Sequence, residues 1–183
     1  LALAQNFLID GKDYLVPMCS EEPSIVAGSS KSAKIMREGG GITTKIDEPI
    51  ATGQIQLILR PSQAKNNFDK VIAQHKVELI EFGNQKIISL LARGGGIRDI
   101  YARPVIGTRV GPMLIVHVDI DTRDAMGANI VNSVVEHLAP ELESITHSHS
   151  NLKILTNLTV KRLSQACVTI PASRFSSNTL SRF

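Results

Sequence analysis

The 183-residue chain has no tryptophan and only two tyrosines and five phenylalanines. A surface that binds nucleic acid clusters its Lys and Arg and stacks bases on aromatic rings. Here rings are scarce, basic residues are scattered and the net charge is a mild +3, so no nucleic-acid partner is expected. The two cysteines, Cys19 and Cys167, have no metal-ligand spacing. No metal is expected, and both read as reduced, fairly buried thiols of a cytoplasmic protein. No apolar run approaches the roughly 20 residues of a membrane helix, so no membrane partner is expected. Leu1-Ala2-Leu3-Ala4 lacks the basic flank and the length of a signal peptide. The chain starts at Leu1 in mid-pattern, which reads as a piece of a longer protein.

What is present centres on Asp119–Asn129, DIDTRDAMGAN. The run Met113–Val118 before it reads as a buried strand, and Ile130–Leu138 after it has apolar residues at helical spacing. A strand therefore hands over to a helix through Asp124–Asn129. Free N–H groups and the positive end of the helix dipole face that turn, a setting that favours a phosphate. Gly127 would let a ligand approach the backbone. From spacing alone, a turn that merely caps the helix remains open.

Around this centre the chain alternates. Phe7–Ile9 and Tyr14–Val16 flank Asp10-Gly11, a hairpin signal. Pro23 opens a helix that runs to about Arg37 and ends at Gly39-Gly40-Gly41. That helix is built of small residues (Ala27, Gly28, Ser29, Ser30, Ser32, Ala33), which suits close approach by another backbone or a ligand. Then come a strand over Gln54–Leu59, a long helix over Asn67–Leu91 and a break at Gly94-Gly95-Gly96. Strands over Ile97–Val105 and Met113–Ile120, a helix over Asn129–Ile145 and a strand over Leu152–Leu158 follow. The β-α-β-β-α-β order predicts an α+β, ferredoxin-like plan with both helices on one face of an antiparallel sheet. Beyond it, Lys161–Ala166 reads as a short helix and Val168–Ile170 as a short strand. His147 and His149 read as solvated loop residues.

Three separated stretches carry a resemblance. Asn6–Tyr14 with Val16-Pro17, then Glu21-Glu22-Pro23-Ser24-Ile25-Val26-Ala27, then Asp124–Asn129 resemble the soluble, class II hydroxymethylglutaryl-CoA reductases. The resemblance covers roughly residues 5–170. It implies that residues 1–50 are part of a substrate-binding large domain and 53–158 a dinucleotide-binding small domain. Residues 159–170 would return to the large domain, with 171–183 a polar, disordered tail. It implies reduction of the thioester to mevalonate and free CoA by two hydride transfers from NADPH or NADH, in a homodimer or higher oligomer.

By the same resemblance, Glu22 is the catalytic carboxyl that exchanges a proton at the carbonyl oxygen, its pKa raised by partial burial. Ser24 contacts the acyl part. Asp124, Met126, Gly127 and Asn129 line the cofactor, and Asn157 faces the nicotinamide. Members that prefer NAD carry an acidic residue ahead of the triple glycine. Here Gln85-Lys86-Ile87 stands there, which leans to NADPH or dual use. The family's catalytic lysine, aspartate and late histidine are not matched, so this polypeptide by itself is expected to be inactive.

The alternative from the same pattern is a ferredoxin-like module that binds a nucleotide without chemistry. An RNA-binding version would need aromatics on the central strands, and Ile97–Val105 offers only Tyr101. The Ser/Arg-rich end also raises a misassembled reading frame.

Overall fold

The computed structural model describes residues 1–19 and 22–174. The chain forms two compact units, one of Leu1–Ile46 with the stretch from Ser164 onward, the other of Asp47–Leu163.

In the first unit, β1 (Ala2–Ile9) and β2 (Lys12–Met18) form the expected antiparallel hairpin. Its turn places Asp10 at φ 47° and Gly11 at φ 78°, the left-handed pair whose twist matches two strands. The Asp10 carboxylate accepts the Thr44 N–H at 2.8 Å and the Thr44 hydroxyl, bonds that hold it below the usual carboxylate range. β1 has a register shift between Ala4 and Phe7, with Asn6 at φ 71°. There the Gln5 N–H turns to Ser30 Oγ at 3.0 Å and the Asn6 amide to the Ser30 carbonyl at 3.2 Å, fixing α1 (Pro23–Glu38) on the strand.

β3 (Ile42–Ile46) and β8 (Ser164–Val168) complete a sheet of order β2-β1-β3-β8. Both correct the sequence reading. β3 is unforeseen because Thr43-Thr44-Lys45 hides the apolar alternation between its two isoleucines. β8 stands where a helix over Lys161–Ala166 was expected, and it ends at Val168 without a separate strand over Val168–Ile170. Five antiparallel pairs with β3, from Ile42↔Val168 to Ile46↔Ser164, override the local helix propensity.

Cys19 and Cys167 are exposed, not buried. One follows β2 and the other lies in β8, the two edges of this sheet, where side chains have a strand on only one side. Among the described residues of this unit the buried hydrophobics are Ala4 and Ala33. Of the tail expected to be disordered, Ala172–Arg174 form a 3-10 turn and 175–183 lie outside the described residues.

The second unit runs β4 (Ile50–Ile58), α2 (Phe68–Gln74), α3 (Lys76–Asn84), α4 (Ile88–Leu91), β5 (Gly96–Val105), β6 (Met113–Asp121), α5 (Ala128–Thr146) and β7 (His149–Leu155). Strand order is β5-β6-β4-β7, every pair antiparallel, so β4 and β6 are central. The single helix expected over Asn67–Leu91 is broken at His75 (φ −89°, ψ 7°) and Ile87 (φ −128°, ψ 37°). The pieces nevertheless reach the core through Phe68, Ile72, Leu79 and Leu90, with Val71 and Phe82 partly buried against it. β7 starts and ends three residues before the expected Leu152–Leu158, because Ser150–Leu155 pair with β4 and the chain leaves the sheet at Thr156.

Alternation in β4 turns Gly53, Ile55 and Leu57 toward the helices and leaves Thr52, Gln54 and Gln56 half-buried on the opposite face. α5 answers with Val131, Val134, Val135, Leu138 and Leu142, all fully buried. Among the described residues, no helix is long and apolar enough to cross a membrane.

Candidate functional site

β6 ends at Asp121 and α5 begins at Ala128, so Thr122–Gly127 makes the crossing. The buried Thr122 donates its N–H to the Pro49 carbonyl at 3.1 Å and its hydroxyl to the Ala125 carbonyl at 3.0 Å. The Ala125 N–H returns to the Thr122 carbonyl at 3.1 Å. Gly127 is the helix N-cap at φ 94°, and its carbonyl accepts the first helical bond from the Val131 N–H at 2.9 Å. No side chain caps this end and the first turn holds no acidic residue. The N–H groups of Ala128, Asn129 and Ile130 therefore have no intrahelical acceptor and carry the positive end of a 19-residue dipole.

Asp124, Met126 and Asn129 are exposed and Gly127 is buried. A hollow of about 240 Å³ is lined by Ala125–Ile130. It is smaller than the roughly 300–1,000 Å³ of a complete ligand pocket, so the turn supplies one part of a binding surface. Gly127 departs from expectation in one respect. A Cβ on it would stand 2.6 Å from Thr122 Cγ2, so its missing side chain lets the turn close on Thr122.

The strand end beneath the turn is a charged brace. Asp121, 3% exposed, accepts from Arg98 Nη2 at 2.7 Å and from the Arg123 N–H at 3.0 Å, with the Arg123 guanidinium at 3.3 Å. Both guanidinium groups also donate to the Gly94 carbonyl, tying the triple-glycine turn to β6. Burial pushes the Asp121 pKa up, but the Arg98 bond, the Arg123 N–H and the two positive charges outweigh it and hold the pKa below the usual value.

A carboxyl with a depressed folded-state pKa stabilises the fold above its unfolded pKa of about 3.9, and that stability is lost as pH falls through the lower folded value. Asp121→Asn is expected to cost about 2 kcal/mol at pH 7, the scale of charge-assisted hydrogen bonds, since both arginines are partly hydrated. Urea denaturation at pH 7 and pH 3 checks it. The gap between variant and wild type should shrink at the lower pH; a gap that grows there refutes the assignment.

Asn157 lies in the turn after β7. Its carbonyl accepts the Thr159 N–H at 3.0 Å, and the Thr156 N–H before it donates to the Thr52 carbonyl at 2.9 Å. A few residues on, Lys161 pairs with Asp119, 3% exposed, which also accepts the Thr52 hydroxyl at 2.6 Å. The Asp119 bond raises the Lys161 pKa against the opposing effect of burial. Lys161 Nζ also lies 4.6 Å from the Tyr101 ring centre, and Tyr101 stacks on His117 at 4.9 Å. Burial first, then the Arg103 charge, lowers the His117 pKa, with Asp119 opposing. Arg162 donates to the Ala125 carbonyl at 3.0 Å and the Met126 carbonyl at 3.2 Å, which ties the end of the segment after Asn157 to the Asp124–Asn129 turn.

Glu22 and Ser24 belong to the first unit. Glu22 is the N-cap of α1, with Pro23 at the first helical position, and the Ser24 hydroxyl donates to its carboxylate. Both are exposed, so the partial burial expected of Glu22 is not seen among the described residues. His147 is the left-handed C-cap of α5, and His149 Nδ1 lies 3.5 Å from Glu143. Among the described residues no group of three or more His, Cys, Asp or Glu is placed to hold a metal.

Sequence reasoning included Asp121 and Thr122 in the Asp119–Asn129 stretch without giving either a role, and it missed Arg162 as part of this corner. Arg162 gives no local signal.

The family model described as Hydroxymethylglutaryl-coenzyme A reductase matches residues 1–181. The 3-hydroxy-3-methylglutaryl-coenzyme A reductase of Archaeoglobus fulgidus is 48% identical over 168 residues, 91% of this chain and 37% of that protein. A probable reductase of the same name from Borreliella burgdorferi is 26% identical over 157 residues, 86% of this chain and 34% of that one. Among solved structures, the Streptococcus pneumoniae reductase superposes with a TM-score of 0.84 at 34% identity, covering 98% of this chain and 42% of that one. A class II structure from the same organism, bound to NADPH in open conformations, gives 0.81 at 36% identity over 92% of this chain and 40% of that one. The chain thus spans well under half the length of these relatives.

Proposed function

The chain belongs to the hydroxymethylglutaryl-coenzyme A reductase family, and from that premise we propose that it supplies the dinucleotide-binding corner and the catalytic glutamate of an NADPH- or NADH-dependent reductase. That enzyme interconverts hydroxymethylglutaryl-CoA with mevalonate and CoA, in the cytoplasm and as a homodimer or higher oligomer. One observation carries the reading. The Asp124–Asn129 turn presents an uncapped helix N-terminus with no carboxylate in its first turn, and Gly127 at φ 94° holds it closed from behind.

Those groups fit a dinucleotide. Ala128, Asn129 and Ile130 would hold its diphosphate, with Asp124, Met126 and Gly127 lining it and Asn157 on the nicotinamide side. The cofactor, when bound, supplies hydride. Glu22 holds the proton exchanged at the substrate carbonyl oxygen, and the Ser24 hydroxyl orients that carboxylate and contacts the acyl part. Leu1–Ile46 and the stretch from Ser164 onward belong in this reading to the large, substrate-binding domain, and Asp47–Leu163 to the small domain.

Cofactor choice leans to NADPH or dual use. Lys86, in the 3-10 turn Gln85–Ile87, lines an open hollow with Asn132, Ser133, Glu136 and His137 of α5, so Lys86 would attract a 2′-phosphate while Glu136, 3.8 Å from Lys153, could accept from a 2′-hydroxyl, which keeps dual use in the reading. Fluorescence titration of the chain with NADPH and NADH tests both statements. Saturable binding of NADPH at least as tight as NADH is expected. Absence of binding to either refutes the cofactor site, and a strong NADH preference refutes the lean.

A further inference from the structure

We infer that Arg162 is a positioning residue for the cofactor turn: its guanidinium draws the carbonyls of Ala125 and Met126 to one side, so that the N–H groups of Met126 and Gly127 are turned to the other. The inference rests on the reading that this turn takes the diphosphate of a nicotinamide dinucleotide.

The geometry is a fork on two successive peptides. Nη2 donates to the Ala125 carbonyl at 3.0 Å, and Nη1 donates to the Met126 carbonyl at 3.2 Å and to Thr122 Oγ1 at 3.3 Å. A trans peptide is planar with its C=O and N–H pointing opposite ways, so fixing a carbonyl fixes the following N–H. The 125–126 and 126–127 peptides are thereby both oriented by one side chain. Their N–H groups then add to those of Ala128, Asn129 and Ile130 at the start of α5. A planar guanidinium holds its donors in a rigid fork that fixes both carbonyls together; an ammonium has three donors but no fixed fork on its flexible stem, so it would orient the two peptides less firmly. The positive charge also lies behind the turn, where it favours an anion in front.

Arg162 can act this way because its own base is fixed. Lys161 before it is paired with the buried Asp119. Leu163 after it donates its N–H to Asp47 Oδ2 at 3.2 Å, and its carbonyl accepts the Asp47 N–H at 2.9 Å. The same segment carries Asn157, so one short stretch sets both the nicotinamide-side residue and the orientation of the diphosphate-side amides. Thr122 closes the turn from within, and Arg162 holds it from outside.

The test uses the full chain and three readouts: NADPH affinity, competition by inorganic pyrophosphate, and amide hydrogen exchange at Met126 and Gly127. R162K is expected to fold, to bind NADPH and pyrophosphate about tenfold more weakly, and to exchange those two amides faster. R162A should lose more, and added guanidinium ion should restore part of the NADPH affinity, which general loosening of the fold would not produce. Wild-type chain that binds no NADPH refutes the cofactor reading and this inference with it. Wild type that binds, beside an R162K of equal affinity or an R162A that guanidinium does not rescue, overturns this inference alone. If both variants unfold below the assay temperature, Arg162 is a folding residue and the inference is likewise overturned.

Discussion

Gly127→Ala is expected to remove about 3 kcal/mol of folding stability and to abolish measurable NADPH binding at concentrations that saturate the wild type. Two independent costs add. An L-residue at φ 94° carries roughly 1–2 kcal/mol of steric strain. The new methyl would also stand 2.6 Å from Thr122 Cγ2 and 3.1 Å from Thr122 Oγ1. Thr122 has no room to yield, because it is fully buried and bonded to Pro49 and Ala125; forced contacts of this kind typically cost roughly 1–3 kcal/mol. Relief of either cost means opening the turn, and that swings the first N–H groups of α5 away from their common direction. Thermal or urea denaturation measures the first effect and a fluorescence titration the second. An alanine variant with wild-type stability would show that the left-handed cap is not required. One that is destabilised but binds NADPH normally would separate the cap from the cofactor site.

The contrast between Gly127 and Arg162 shows what sequence could reveal. Strand, turn and helix around Asp124–Asn129 were legible because each signal is local: an apolar run, a glycine, then helical spacing, all within about 25 residues. The Asp10-Gly11 hairpin was legible for the same reason. Arg162 meets Met126 across 36 positions, and nothing in Lys161–Ala166 distinguishes a brace from a helix. β3 and β8 pair across more than a hundred residues, as in Thr43↔Cys167, so partner choice outweighed local propensity. The long helix failed differently. Apolar residues at helical spacing keep facing the sheet across two breaks in the backbone as long as each piece still lies on it. Glu22 marks a third limit. Its place at a helix start is local, whereas its burial depends on whatever surrounds it.

Gly53→Ala should be as damaging as the turn mutation, although Gly53 touches no proposed ligand. It lies on β4, directly beneath α5. A Cβ there would stand 2.5 Å from Val135 Cγ1 and 2.8 Å from Val131 Cγ1, both valines fully buried. Valine in a helix has one strongly preferred χ1, so neither methyl can rotate away without a rotamer penalty. The helix must lift instead, and lifting it opens the contacts of Val134, Leu138 and Leu142 with the sheet. Each such side chain contributes about 1.5–3 kcal/mol when fully buried, so partial loss of several makes a total near 3 kcal/mol the expected cost, read by chemical denaturation. Gly28→Ala is the matched control. Gly28 lies inside α1, and among the described residues its Cβ would meet nothing within 4 Å beyond its chain neighbours and its own helix backbone; helix propensity alone predicts a gain of up to about 1 kcal/mol there. If Gly53→Ala proved as benign as Gly28→Ala, α5 could not be seated on the backbone of β4 as described. The direction of its N-terminus, on which the proposed phosphate site depends, would then lose its support.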